Sequence, residues 1–238
     1  MVYKIARSVE SLLFPLACRL CGIALAPGPA LCHACQGDLP WLVATCRQCG
    51  QPLPETAAGG RCGRCQQQPP AYDATTAALH YGPPVDYLIR RLKFSGELGL
   101  APLLADLLAT RIRARAAPLP ELLLPVPLHL ARLRERGFNQ ATQLARRLGS
   151  RLDIALDYRL CRRQRRTAPQ SLLPVGERRR NVRDAFTLAG GVPASHVAIV
   201  DDVMTTGHTV DELARLLRRA GVQRIEVWVI ARAGGFRD

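Results

Sequence analysis

Residues 197–209, VAIVDDVMTTGHT, constrain this chain more than any other stretch. Val197, Ile199 and Val200 predict a buried strand. It runs into two adjacent carboxylates, Asp201 and Asp202, which are expected to leave the sheet where its edge opens. A turn rich in Thr and Gly follows (Thr205, Thr206, Gly207, Thr209), then a helical pattern over 210–220 and a second buried strand, IEVWVIA, at 225–231. A parallel α/β sheet presents ligands at its carboxyl edge in this order. Carboxylates placed there accept hydrogen bonds from vicinal hydroxyls or face a bound Mg²⁺. Hydroxyls and backbone N–H groups at a helix N-terminus favour a phosphate. The predicted ligand is therefore sugar-like and phosphorylated.

Eight of the nine cysteines fall into four CxxC pairs: Cys18/Cys21, Cys32/Cys35, Cys46/Cys49 and Cys62/Cys65. The intervening gaps are ten, ten and twelve residues. CxxC sets two thiolates on one tight turn, and a second pair completes a tetrahedral zinc site, so the eight thiols predict two structural zinc ions. Sequential ribbons and a cross-braced arrangement both use these spacings. Gly22, Gly50 and Gly63 follow thiols where knuckle turns need a permissive backbone. A disulfide framework would require an export signal. The apolar start, MVYKIARSVESLLFPLAC, is interrupted by Arg7, Ser8 and Glu10, and residues 5–14 read as a short amphipathic helix. A cytoplasmic location, without membrane insertion, follows as the expectation. Cys161 reads as a buried thiol at a strand end.

The 238 residues suffice for one good core and a small second module. Net charge is +14, and every basic residue except Lys4 and Lys93 is arginine. Residues 159–183 carry nine arginines against one acid, Glu177, which fits a solvated face or an anion site equally. After QQQPP at 66–70 the composition shifts from Cys-rich to aliphatic, which sets the domain boundary. Residues 1–68 form a double zinc ribbon with a short N-terminal helix, and residues 71–238 form the ligand domain.

Within that domain, 72–81 reads as a strand, and 84–94 and 97–116 read as helices. ELLLPVP at 121–127 is a strand entering a loop, with Val126 held between two prolines. The loop carries His129, Arg132, Arg134 and Arg136, and a helix follows to about 149. Guanidinium forks match phosphate oxygens, so such a loop suits a pyrophosphate. His129 is expected to cap or pack. LDYRLC at 156–161 reads as a strand, 162–175 as a long basic loop able to cover the site, 176–183 as a short helix and AFTLA as an edge strand.

Taken together, the CxxC pairs, PVPLHLARLRERGFNQA (125–141), RRTAPQSLLPVGERRRNVRDAF (165–186) and VAIVDDVMTTGHT resemble the ComF/GntX family of bacterial competence-related proteins. The resemblance covers nearly the whole chain. It implies an α/β fold with a type I phosphoribosyltransferase-like parallel sheet flanked by helices, preceded by a small zinc-ribbon module. It also implies a link to DNA uptake or utilisation, and phosphoribosyl pyrophosphate with Mg²⁺ as the ligand. Asp201 and Asp202 match the ribose-binding acid pair. Thr205, Thr206, Gly207 and Thr209 match the 5′-phosphate loop, with Val203, Met204 and His208 in the same stretch. The 125–136 segment takes the place of the pyrophosphate loop, which makes Val126, Arg132 and Arg136 candidates. Lys93 matches a basic position. Residues 164–172, with Arg165, Arg166, Thr167 and Gln170, match a flexible loop. Two roles remain open: transfer of the phosphoribosyl group to a nitrogen acceptor, or sensing of the ligand without turnover. An adaptor that binds single-stranded DNA and hands it to uptake or helicase proteins is the further alternative.

Overall fold

The computed structural model describes residues 16–26, 30–165 and 182–234. Two compact units divide the chain, Met1–Pro40 and Trp41–Asp238. In the first, β1 (Leu16–Ala17) pairs antiparallel with β2 (Ala24–Leu25), and α1 (His33–Gly37) begins at Cys32. In the second, a cysteine knuckle and α2 (Gly63–Gln67) precede β3 (Ala74–His80), α3 (Val85–Phe94) and α4 (Leu100–Arg113). Next come β4 (Leu122–Pro125), α5 (Leu130–Arg136), α6 (Gln140–Leu152) and β5 (Ala155–Leu156). The chain closes with β6 (Cys161–Arg163), β7 (Phe186–Leu188), β8 (His196–Met204), α7 (His208–Arg219) and β9 (Arg224–Arg232).

The five main strands lie in the order β3-β9-β8-β4-β5, and every pairing is parallel. Parallel strands are covered on both faces, so they require near-continuous apolar runs. β9 meets this with eight buried residues of its nine. α7 carries Val210, Leu213, Ala214 and Leu217 at helical spacing, all buried against the sheet layer. From β4 the chain moves outward to β5; from β8 it moves the other way, to β9. The crevice between β4 and β8 is therefore a topological switch point, where the loops following the two strands diverge and leave room for a ligand.

At the opposite end of the sheet a buried carboxylate is fully engaged. Glu226 accepts from Arg115 Nη1 at 2.6 Å, Trp228 Nε1 at 2.9 Å and Arg224 Nη2 at 3.0 Å. His196 Nε2 lies 3.2 Å from Oε1, the oxygen that Arg224 also reaches. Burial alone would push this carboxyl up; Arg115 and the indole hold it below the usual range. Glu226→Ala strands the Arg115 guanidinium, whose side chain is only 19% exposed. The expected cost is about 3–5 kcal/mol of unfolding free energy, measurable by urea titration, since removing one partner of a buried pair leaves an uncompensated charge.

The structure corrects several readings. The stretch 130–136 is a helix, not a loop: His129 caps it by accepting from the Ala131 N–H at 3.2 Å, and Gly137 ends it in the left-handed region. His129 is thus a cap, as expected. The aspartates do not leave the sheet, because β8 continues through Met204. The predicted strand at 156–161 is broken. Asp157 Oδ1 takes the N–H groups of Arg159 and Leu160, turning the chain before β6 starts at Cys161. β6 then pairs antiparallel with β7, so the predicted edge strand belongs to a separate two-stranded ribbon. Cys161 is buried there, and burial pushes its thiol up to about 12. Gly22 and Gly50 adopt positive φ, whereas Gly63 opens α2 with ordinary φ. The predicted helix at 5–14 and most of 166–183 lie outside the described residues.

Candidate functional site

β4 ends at Pro125, opposite Val200, and the Val126 N–H closes the ladder on the Val200 carbonyl at 2.9 Å. β8 runs four residues further, paired among the described residues only with β9. Asp201 and Asp202 occupy this overhang, facing the space that β4 vacates. A cavity of about 1150 Å³ opens there. Its walls contain Lys93, Val126, Arg132, Arg136 and the whole stretch 201–209. Every residue predicted for ribose, phosphate and pyrophosphate contact is thus gathered in one place. Of the predicted flexible-loop residues, Arg165 donates to the Arg183 carbonyl at 2.9 Å and does not line the cavity. Arg166, Thr167 and Gln170 lie outside the described residues.

The acid pair is asymmetric. Asp202 is 2% exposed and forms an ion pair with Lys93, which projects from the last turn of α3. Burial opposes its ionisation, but Lys93 holds its carboxyl below the usual range. Asp201 has burial and the neighbouring Asp202 charge against it, so its carboxyl is held well above the usual range. The Lys93 ammonium is correspondingly favoured, since its two carboxylate neighbours outweigh burial.

Among the described residues, three guanidiniums share the cavity walls with the acids: Arg132 and Arg136 of α5, and Arg163 at the end of β6. Burial lowers the pKa of both Arg136 and Arg163, and repulsion from Arg132 lowers it further. A polyanion bound among them would relieve both penalties. The RGFNQ segment explains how α5 is held. Asn139 caps α6 through the Ala141 N–H at 3.0 Å while its amide donates to the Val126 carbonyl at 3.0 Å. Gln140, buried at the start of α6, receives Arg136 Nη1 at 2.6 Å. Sequence reasoning missed Arg163, Gln140, Tyr81, Phe94 and Phe138 as lining residues.

Thr205, Thr206 and Gly207 form the turn into α7, with Gly207 as its N-cap at φ +82°. Asp211, the acid in the first turn, is engaged elsewhere by the Ala71 N–H at 2.7 Å and by Arg215 at 3.0 Å, so it does not crowd an anion. A methyl group at Gly207 would lie 2.7 Å from Met204 Cε and 3.1 Å from the Tyr72 hydroxyl oxygen. Gly207→Ala is therefore expected to cost about 2 kcal/mol from left-handed strain and overpacking. Differential scanning fluorimetry would show this as a drop of roughly 4–8 °C in melting temperature.

The eight paired thiols form two groups of four, Cys18/Cys21/Cys32/Cys35 and Cys46/Cys49/Cys62/Cys65. In each, the sulfurs lie within 4.8 Å of one another. The pairing is sequential. Cys21 and Cys32 sulfurs are 3.7 Å apart and those of Cys49 and Cys62 3.6 Å, close to the edge of a tetrahedron with Zn–S bonds of about 2.3 Å. Burial opposes ionisation of Cys18 and Cys46, yet backbone N–H donors bring them down to about 6 and about 7. The donor set fits zinc. Cys46, Cys49 and Cys65 also belong to the apolar core that includes Tyr72, Leu124 and Val197.

Comparison with known proteins agrees with both halves of this architecture. A Double zinc ribbon domain family matches residues 9–66, and a Phosphoribosyl transferase domain family matches residues 127–236. The chain is 39% identical over 223 residues to DNA utilization protein YhgH of Escherichia coli O157:H7, covering 92% of this chain and 97% of that one. It is 38% identical over 213 residues to Competence protein F of Haemophilus influenzae, covering 85% and 90%. This chain belongs to the ComF/GntX family, with a phosphoribosyltransferase-like α/β domain and an N-terminal double zinc ribbon.

Proposed function

We propose that the cavity binds Mg²⁺-phosphoribosyl pyrophosphate and that the protein transfers the phosphoribosyl group to a nitrogen acceptor in the service of DNA uptake or utilisation. The observation that carries this reading is the juxtaposition, at one switch point, of an acid pair, a Thr/Gly turn at a helix N-terminus and three arginines. The turn and the α7 N-terminus take the 5′-phosphate. Asp201 and Asp202 accept from the ribose hydroxyls. Arg132, Arg136 and Arg163 take the pyrophosphate. Mg²⁺ on the pyrophosphate would supply further charge neutralisation, and an acidic pair beside a guanidinium cluster suits a magnesium-bound polyanion.

In the transfer, the C1′–O bond breaks and pyrophosphate departs with its electron pair. The acceptor nitrogen attacks C1′ from the opposite face and then loses a proton. Positive charge grows on the ribose as the bond breaks, and the carboxylates below it stabilise that charge where it develops. Guanidiniums stabilise the departing anion. The names of the relatives, DNA utilization protein and Competence protein, support the biological setting.

Pyrophosphate release, measured with Mg²⁺ and phosphoribosyl pyrophosphate across a panel of bases and amines, tests the transfer. Release that needs both an acceptor and Asp201 supports it. Tight binding with no release for any acceptor assigns the site to sensing. One surface favours a second role: at Tyr158, 42% exposed, the guanidiniums of Arg146 and Arg159 lie 5.2 Å and 5.4 Å from the ring centroid. Such a cluster suits single-stranded DNA, through stacking and phosphate contacts. Fluorescence titration of an oligonucleotide at two salt concentrations checks it; no binding at low salt removes it.

A further inference from the structure

We infer that Arg232 and Arg64 are positioning residues that fix the phosphate-binding turn from behind and tie it to the second cysteine site. This rests on the reading that the turn takes a phosphate. A turn whose N–H groups face a ligand directs its carbonyls the other way, and those carbonyls need donors. Here the donors are two guanidiniums, with the Ala233 N–H also donating to the Met204 carbonyl at 2.9 Å. Arg232, at the end of β9 and only 3% exposed, donates through Nη1 to the carbonyls of Met204, Thr205 and Ala233. Its Nε donates to the Cys49 carbonyl at 2.9 Å. Arg64 Nη1 reaches the next carbonyl, Thr206, at 3.3 Å.

Three consecutive carbonyls, 204, 205 and 206, are therefore held from the rear, and both holders lead to the same cysteine group. Cys49 is a member of it, and Arg64 lies between Cys62 and Cys65 on α2. The knuckle is fixed to the sheet independently. Thr75 Oγ1 donates to the Gln48 carbonyl at 2.6 Å, and a side chain at Gly50 would come within 2.8 Å of Thr75 Cγ2. Arg232 also places a buried positive charge directly behind the turn. The second cysteine site thereby governs the part of the cavity that recognises the phosphoryl group of the sugar. Arg136, on the pyrophosphate side, is held separately through Gln140, and Asn139 ties the start of α6 to the Val126 carbonyl.

The test exploits that separation. Binding of two probes, ribose 5-phosphate and inorganic pyrophosphate with Mg²⁺, is measured by calorimetry for the full chain and for Arg64→Ala and Arg232→Lys. Zinc content and melting temperature are measured alongside. Arg64→Ala is expected to retain its metal and fold and to weaken ribose 5-phosphate about 5-fold; Arg232→Lys weakens it about 10-fold or more. Pyrophosphate affinity stays within about 2-fold in both. Unchanged ribose 5-phosphate affinity in both folded variants, or an equal loss of the two probes, overturns the inference. Parent protein that binds neither probe overturns the ribose-phosphate reading itself, and this inference with it.

Discussion

Asp201→Asn is expected to stabilise the ligand-free protein while weakening the binding of its ligand. In the free site Asp201 meets burial and the Asp202 charge, so ionising it at neutral pH opposes folding. An amide of the same shape removes that repulsion, and the melting temperature rises by about 3–6 °C. The sign follows from the raised pKa. A proton held more tightly in the folded state means stability declines as pH climbs from the ordinary value of 3.8 through the raised one. The variant's advantage is therefore largest near neutrality and closes in acid, where the parent carries the proton. Asp202→Asn gives the opposite result. Its carboxylate is held below the ordinary value, so its contribution is present above 3.8 and fades as pH falls through the depressed one. Removing it strands Lys93, whose side chain is 21% exposed, and costs about 3 kcal/mol. Both variants lose charge-assisted hydrogen bonds to the ribose, a fall of about 10- to 100-fold in affinity. Scanning fluorimetry from pH 4 to pH 8 checks the pair; equal effects of the two substitutions on melting would contradict the assigned asymmetry. Stabilisation by Asp201→Asn would show that function at Asp201 is maintained against stability, a familiar trade at ligand sites.

The two cysteine groups are expected to differ sharply in what they stabilise. Cys46 and Cys65 are buried within the core that supports the sheet. Their group belongs to the Trp41–Asp238 unit, whereas Cys18, Cys21, Cys32 and Cys35 lie in Met1–Pro40. Structural zinc contributes folding free energy on the order of 10 kcal/mol in small sites. Cys65→Ser should therefore lower the melting temperature of the sheet unit by more than about 10 °C, with loss of one zinc per chain. Cys21→Ser, at an exposed position of the first group, should also lose one zinc but leave the main transition within about 2 °C. Metal analysis beside calorimetry distinguishes these outcomes. A main transition equally depressed by both substitutions would show that the first group also supports the sheet.

Much of the ligand domain was legible because its elements follow simple periodicities. The continuous apolar runs at 197–200 and 225–231 emerged as central parallel strands, and the leucines of 100–108 as one face of a helix. Lys93 was readable for another reason, as one of only two lysines in an arginine-rich chain. Other features left no periodic trace. α5 buries none of its seven residues, so nothing in its apolar pattern marked it as a helix; its caps, His129 and Gly137, were the only signal. LDYRLC alternates like a strand, but the Asp157 side chain competes for the backbone and turns it. Arg163 and Arg232 join the site only through tertiary structure, one across the β6–β7 ribbon and the other from the end of β9. Sequence order carries no information about such encounters.

The central claim is that the crevice between β4 and β8 holds a ribose phosphate bearing a pyrophosphate. A crystal structure of the full chain grown with Mg²⁺ and phosphoribosyl pyrophosphate tests it most directly. The account predicts the 5′-phosphate at Thr205–Thr209, the ribose hydroxyls on Asp201 and Asp202, and the pyrophosphate among Arg132, Arg136 and Arg163. Ligand bound elsewhere, or an empty crevice at saturating ligand, would contradict it.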